Sequence, residues 1–357
     1  MIFMGDVPPP VHGMAAINKA LLECIRVRCR VYFINTVPSA LAKYFNSRFW
    51  LLIKGVFFFP VTAQLLWALF TRKDKVFYRA LNGGAGQVFD VCWLWLARLS
   101  GAQIFLHHHA SSYLQSPTKL FKLATTAAGQ NAQHIVLGKA MLQALAFNYN
   151  TPIENIRIIS NAAFFSTNEI NIPSKNNTLH IGHLANLSTQ KGLDVFLKLT
   201  SKLYQEKISF IGTIAGPCAD KSLQKLLIKH LEDIPNLTWI GPVYGEKKQN
   251  FLDSLDVFVY PSRNEAEPLV LYEAAQKGAV LVGSQTGCMK DIIARLGGFS
   301  LPLREPEEWV IWATSIINSA DITTSAKSVR KTAFHATVKE SKRDLVKLLD
   351  HFAHAAT

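Results

Sequence analysis

The five cysteines, at positions 24, 29, 92, 218 and 288, never fall into a CxxC spacing. Their scatter argues against a zinc-ribbon ligand set and a disulfide framework, and it fits a reducing cytosol. Acidic residues are scarce in the first half. Through residue 170 there are 16 Lys and Arg against 6 Asp and Glu, a balance of +10 out of the +13 carried by the whole chain. A basic half can draw an anionic lipid surface or a phosphate-bearing acceptor toward it, because such fields act on association. Nucleic acid is the rival partner for so basic a chain. Zinc-finger spacing, an RNP-like segment and a continuous Lys/Arg tract are all missing, so no nucleic-acid partner is expected. The first residues lack a basic segment followed by a long apolar core, and Met1 to Asp6 reads as a buried strand rather than a leader. Neither GxGxxG nor a P-loop occurs; the turn Asn82-Gly83-Gly84-Ala85-Gly86 has no Lys-Ser/Thr after it.

What is present points to two layered α/β halves. A chain of 357 residues with 49% apolar content can build two sizeable cores. Short apolar runs alternate with helical patterns, which predicts right-handed crossovers and a parallel sheet in each half. The polar stretch from Ser166 to Asn177 has linker composition and places the domain boundary near residue 170.

The most informative stretch runs from Leu255 to Gly278. Leu255 to Tyr260 is an apolar strand stopped by Pro261, and Glu265 and Glu273 follow with seven residues between them. Pro268 suits the first turn of a helix and Gly278 its far end. Glu265 then lies in the loop and Glu273 about a turn and a half into the helix. Both carboxylates can face the crevice at the carboxyl end of a parallel sheet, where open α/β folds bind ligands. The opening amides of that helix, at Leu269 and Val270, form an anion site by geometry. A carboxylate that accepts from vicinal hydroxyls, next to amides that hold a diphosphate, suits a nucleotide sugar.

Four other segments carry candidate chemistry. Lys191 stands just ahead of an amphipathic helix, where it offers a compact positive charge to a diphosphate. In His107-His108-His109 a strand would put His107 and His109 on one face. The loop from Gly5 to Ala15 is stiffened by prolines, and Gly13 lets a backbone approach a ligand. Phe49 to Phe70 is the most apolar stretch of the chain, interrupted by Lys54 and Pro60. The interior Lys and Pro argue against a membrane span. They leave open a buried helix or a helix pressed on a membrane face through Trp50, Phe57, Phe58, Phe59 and Trp67.

Taken together, these segments resemble the GT-B fold retaining glycosyltransferases of family 4, the glycosyl transferases group 1. The resemblance rests on the Glu-x7-Glu spacing, on Lys191-Gly192-Leu193-Asp194, on the turn Thr286 to Asp291 and on the Ser160-Asn161-Ala162 end of a strand. It covers most of the chain and is strongest over residues 178 to 295. It implies two Rossmann-like parallel-sheet domains facing a cleft, an acceptor domain over 1–170 and a nucleotide-sugar domain over 171–337. A helix near 338–354 would return toward the first domain. It also implies His109, Lys191 and Glu265 as catalytic residues. Asn186, Lys191, Val243, Glu265, Leu269, Val270 and Glu273 would bind the donor, and His12 and Gly13 would line the acceptor side.

Several positions depart from the family pattern: Asn186 stands for a phosphate-binding Arg, Ala110 for a Gly, Cys288 for the second Gly of its turn and Glu267 for a Phe, and Ser160-Asn161-Ala162 is a looser Pro-Asn-Gly. No Asp-x-Asp motif occurs, so neither a metal nor a cofactor is expected. The implied activity is retaining, metal-independent transfer from a nucleotide sugar to a glycan or lipid-linked acceptor, in cell-surface polysaccharide or lipopolysaccharide synthesis. The expected location is cytoplasmic, with peripheral contact to the inner face of the plasma membrane. A nucleotide-sugar epimerase or a non-catalytic sugar-nucleotide-binding subunit are the alternatives.

Overall fold

The computed structural model describes residues 1–9, 12–37, 50–72, 76–167 and 178–355. Two compact units emerge, Met1–Phe164 with Glu340–Thr357, and Phe165–Lys339. Most of the expected linker, including the boundary near 170, lies outside the described residues.

The first unit is built from β1 (Ile2–Gly5), α1 (Gly13–Arg26), β2 (Tyr32–Asn35), α2 (Trp50–Thr71), β3 (Val76–Ala80) and α3 (Gln87–Leu99). It continues through β4 (Gln103–His107), α4 (Ser112–Gln115), α5 (Lys119–Ala128), β5 (Gln133–Val136), α6 (Lys139–Tyr149) and β6 (Ile156–Ile158). The strands form one parallel sheet in the order β2-β1-β3-β4-β5-β6. Ile2, Phe3, Met4, Phe77, Tyr78, Phe105 and Leu106 are fully or almost fully buried. Such continuous apolar strands are what a sheet covered on both faces requires.

The charged residue inside α2 has a local explanation. The Lys54 ammonium donates to Asn82 Oδ1 at 2.8 Å and lies 3.9 Å from the Asp6 carboxylate. Burial lowers its pKa, the Asp6 charge working against that shift. Farther along, Phe58 stacks on Trp93 of α3 at 5.7 Å, and the Trp93 indole donates to Thr62 at 2.9 Å. Thr36, Arg79 and Asp90 complete the buried polar network: Thr36 donates to Asp6, and Arg79 Nε donates to Asp90 at 2.7 Å. Partnering is what makes such buried charges tolerable.

The second unit contains β7 (Leu179–Leu184), α7 (Leu193–Gln205), β8 (Phe210–Ala215), α8 (Lys221–Asp233), β9 (Leu237–Trp239) and α9 (Gly245–Asp253). After these come β10 (Val257–Tyr260), α10 (Leu269–Gln276), β11 (Val280–Ser284), α11 (Met289–Arg295), β12 (Phe299–Leu301) and α12 (Pro306–Ser319). Its parallel sheet has the order β12-β11-β10-β7-β8-β9. The chain winds outward from β7 to one edge and from β10 to the other, so the direction of winding reverses between these two strands. That is the switch point at which open α/β sheets leave a crevice.

The chain ends in α13 (Thr324–Ala355). This helix starts well before the Val338 expected from sequence, and residues 324 to 355 contain no Gly or Pro to interrupt it. Leu345, Leu348 and Phe352 of α13 belong to the apolar core of the first unit with Phe3, Tyr78 and Phe105.

Candidate active site

The loops that leave β7 and β10 are stapled to each other. Gly192 at the end of the first has φ +78, and a Cβ there would sit 2.1 Å from the carbonyl oxygen of Pro261 in the second. Only glycine meets both conditions. The Arg263 amide donates to the Gln190 carbonyl at 2.8 Å. The Arg263 guanidinium grips both carboxylate oxygens of Asp194 at 2.8 Å, the bidentate geometry that makes Arg pairs specific. A third segment closes on the same place. Gly287, at φ +54, would press a Cβ to 2.1 Å from the carbonyl of Glu265, and the Cys288 amide donates to Ala266 at 2.8 Å.

This framework brings Lys191 and Glu265 together. The Lys191 ammonium donates to Glu265 Oε1, and the Tyr260 hydroxyl donates to the same oxygen at 2.6 Å. Burial raises the Tyr260 pKa well above its ordinary value, and the Glu265 charge adds to the shift, so the phenol remains a donor. Beneath lies His183, fully buried, with its Nδ1 3.0 Å from the Val259 carbonyl and its ring stacked at 5.3 Å on Phe196 and 6.0 Å on Tyr260. Desolvation lowers its pKa to about 4. It stays neutral at physiological pH and acts as a packing support.

Helix α10 begins directly after this loop, with Pro268 at its N-cap rather than inside the first turn. Leu269 and Val270 open the helix and are partly exposed. The first amides of a helix have no intrahelical acceptor, so this end favours an anion. Glu267 is buried and accepts from Tyr272 Oη at 2.5 Å. Glu273 does not stand alone: the Lys248 ammonium of α9 lies 2.7 and 2.6 Å from its two oxygens. Asn186 is exposed in the loop after β7, and Val243, just before α9, is buried.

The remaining candidates lie in the first unit, near the end of its sheet. His12 caps α1, its Nδ1 accepting from the Ala15 amide at 3.3 Å, and Gly13 is the exposed first residue of that helix. His109 follows β4 with its ring 4.0 Å from that of His107. Its Nε2 is buried with no hydrogen-bond partner among the described residues. Desolvation takes the His109 pKa down to about 3, with the nearby His12 also lowering it and Asp6 opposing. His107 is completely buried, 2.7 Å from the Tyr78 hydroxyl, and belongs to the core. His108 turns the other way, toward His134 at 2.9 Å.

Residues 165–330 match the model of the glycosyl transferases group 1. The match takes in most of the second unit and just under half of the chain. Among curated proteins, the sulfoquinovosyl transferase SQD2 of Arabidopsis thaliana is 28% identical over 190 residues, 53% of this chain. The chain spans about a third of that relative's length, since the match covers 33% of it. The fold likeness extends over the whole chain. HepE of Anabaena, solved with UDP, superposes with a TM-score of 0.72 at 14% identity, covering 98% of this chain and 99% of that one. Sucrose-phosphate synthase of Thermosynechococcus elongatus gives 0.70 at 12% identity, covering 99% of each. The lipopolysaccharide outer core galactosyltransferase WaaB gives 0.68 at 14% identity, covering 97% of this chain and 98% of that one. The fold is the GT-B fold, as the resemblance implied, and the unit that the family model matches carries the Lys191–Glu265 contact.

Sequence reasoning singled out Lys191, Glu265 and Glu273 but not the groups of the second unit that pair with or brace them. Tyr260, Lys248 and the Arg263–Asp194 pair were not picked. Tyr260 was readable only as the last residue of an apolar strand, and Lys248 lies 25 residues before the glutamate it meets.

Proposed function

We propose that the protein is a retaining glycosyltransferase that moves a sugar from a nucleotide donor to a glycan or lipid-linked acceptor without a metal. The single observation that carries the reading is the Lys191–Glu265 contact at the β7/β10 switch point, placed before the N-terminus of α10. In this reading the Glu265 carboxylate accepts from hydroxyls of the donor sugar and Glu273 from the ribose. Lys191 and the amides of Leu269 and Val270 receive the charge that grows on the departing phosphate, by preorganised electrostatics. Val243 borders the base. Relatives of the same fold solved with UDP and with UDP-glucose support a uridine nucleotide as the donor carrier. The first unit, with His109 and His12, takes the acceptor, and the relatives named for lipopolysaccharide and for sulfoquinovosyl transfer support a cell-surface or lipid-linked one.

The test is a panel of nucleotide sugars incubated with the protein in the presence of a chelator, with transfer followed by mass spectrometry and the product's anomeric configuration by NMR. Transfer that persists under chelation and keeps the donor's configuration is expected. An inverted product, or activity that returns only with added divalent metal, would count against the mechanism. Asn186, exposed where an arginine would add a second phosphate charge, favours one other reading, a subunit that binds sugar nucleotide without turnover. Donor binding with no transfer to any acceptor selects it.

A further inference from the structure

Helix α2 has a packed face and an open face, with half-buried residues between them. Val61, Leu65, Ala68 and Leu69 are buried in the first unit, and Lys54 reaches inward to Asn82 and Asp6. Leu52, Val56, Phe59, Trp67 and Phe70 point the other way and are 68%, 71%, 74%, 66% and 85% exposed. These five fall at intervals of three, four or eight residues, which traces one stripe along a helix, and Ala63 fills the remaining step. The stripe follows a helix of 22 residues, about 33 Å long at 1.5 Å per residue. Leu52–Thr71 is long and apolar enough to cross a membrane, with mean hydropathy 1.6, yet its inner face and Lys54 are committed to the protein. A helix so anchored can lie on a bilayer but not pass through it.

Charge indicates what covers the stripe. The unit that carries it holds 19 Lys and Arg against 8 Asp and Glu, a difference of +11, whereas the other unit holds 19 against 17, or +2. Residues 50 to 72 include no acid at all. A second copy of this chain would bring a unit of the same sign against the stripe, and an apolar segment of neutral character would gain nothing from the excess. A surface with negative headgroups above an acyl layer complements both features at once.

We propose that the outer face of α2 is a docking surface for an anionic membrane, with Phe59, Trp67 and Phe70 entering the boundary between headgroups and acyl chains. The inference does not rest on the donor reading. The test is flotation with vesicles of phosphatidylcholine alone and of phosphatidylcholine mixed with phosphatidylglycerol. The wild type should float with the anionic vesicles. The triple variant Phe59→Gln, Trp67→Gln, Phe70→Gln should partition at least about a hundredfold more weakly, given the cost of each lost apolar side chain. Because all three residues are exposed, its unchanged melting temperature and UDP binding serve as controls of folding. A Trp67→Phe variant gives a second readout: the tryptophan emission it removes should shift to the blue on anionic vesicles and be quenched by brominated lipid. The proposal is overturned by a wild type that stays unbound or that binds both vesicle types equally. Retained binding in the triple variant, or self-association that the same substitutions abolish, also overturns it.

Discussion

Lys191→Met removes one charge from the switch-point loops while keeping the length of the apolar stem. At an effective dielectric of about 20, two unit charges about 4 Å apart interact by roughly 4 kcal/mol, and the net value of a hydrogen bond to a charged group is about 1.5–3 kcal/mol. Lys191 and Glu265 are 29% and 16% exposed, so this contact lies between surface and core and the lower range applies. UDP should therefore bind about 10- to 100-fold more weakly, at 1.4 kcal/mol per factor of ten. Turnover of an intact donor should fall further, by about 10²–10³, because the charge meets the leaving phosphate most strongly in the transition state. In the proposed donor complex the variant would also leave the Glu265 carboxylate near the diphosphate with one partner fewer, a source of repulsion. Lys191→Met with Glu265→Gln should then recover part of the UDP affinity but none of the turnover. Calorimetric titration with UDP and a released-nucleotide assay measure the two effects separately. If Lys191→Met binds UDP within roughly twofold of wild type, less than about 0.5 kcal/mol, the charge has no role in holding the donor and the reasoning fails.

Two further predictions concern the scaffold. His183 has its pKa lowered from 6.5 to about 4 by burial, so between these values the unfolded chain binds a proton that the folded one does not. Its contribution is therefore fully present above about pH 6.5 and is lost as pH falls toward 4, by up to roughly 3 kcal/mol at 1.36 kcal/mol per unit. Melting temperatures across that window should fall less steeply for His183→Gln than for wild type, and parallel curves would exclude His183 as a cause. Gly192→Ala puts a Cβ 2.1 Å from the Pro261 oxygen at φ +78, whereas Gly245→Ala, at φ +52, meets open space. The second change should cost about 1–2 kcal/mol of left-handed strain alone, and the first should cost more and also weaken UDP binding. Equal melting points for the two variants would show that the stapled loops tolerate the intrusion.

Much of the second unit was legible from local pattern. The apolar run ending at Tyr260, the prolines at 261 and 268 and the glycine at 278 mark strand, loop and helix because each residue restricts or frees its own backbone. The Glu-x7-Glu spacing and Lys191 were legible for the same reason, since loop and helix positions follow from element boundaries. The terminal helix was underestimated because helix length depends on the absence of breakers as much as on an apolar stripe, and residues 324 to 337 hold few large apolar residues but no Gly or Pro.

Partnership across the fold could not be read in this way. Nothing local to Lys54 tells that its ammonium meets Asn82, 28 residues away, so the apolar stretch around it fitted a buried helix and a membrane-facing one equally well. The structure shows one face packed and one face open, because the direction of each side chain is fixed by which neighbours the sheet supplies. The same holds for Lys248 against Glu273 and for Tyr260 against Glu265. Sequence by itself determined the elements, the excess of positive charge and the residue types able to hold a phosphate. Tertiary structure alone decided which of those charges meet, because strand order brings β7 beside β10 and so sets Lys191 against a carboxylate 74 residues later in the chain.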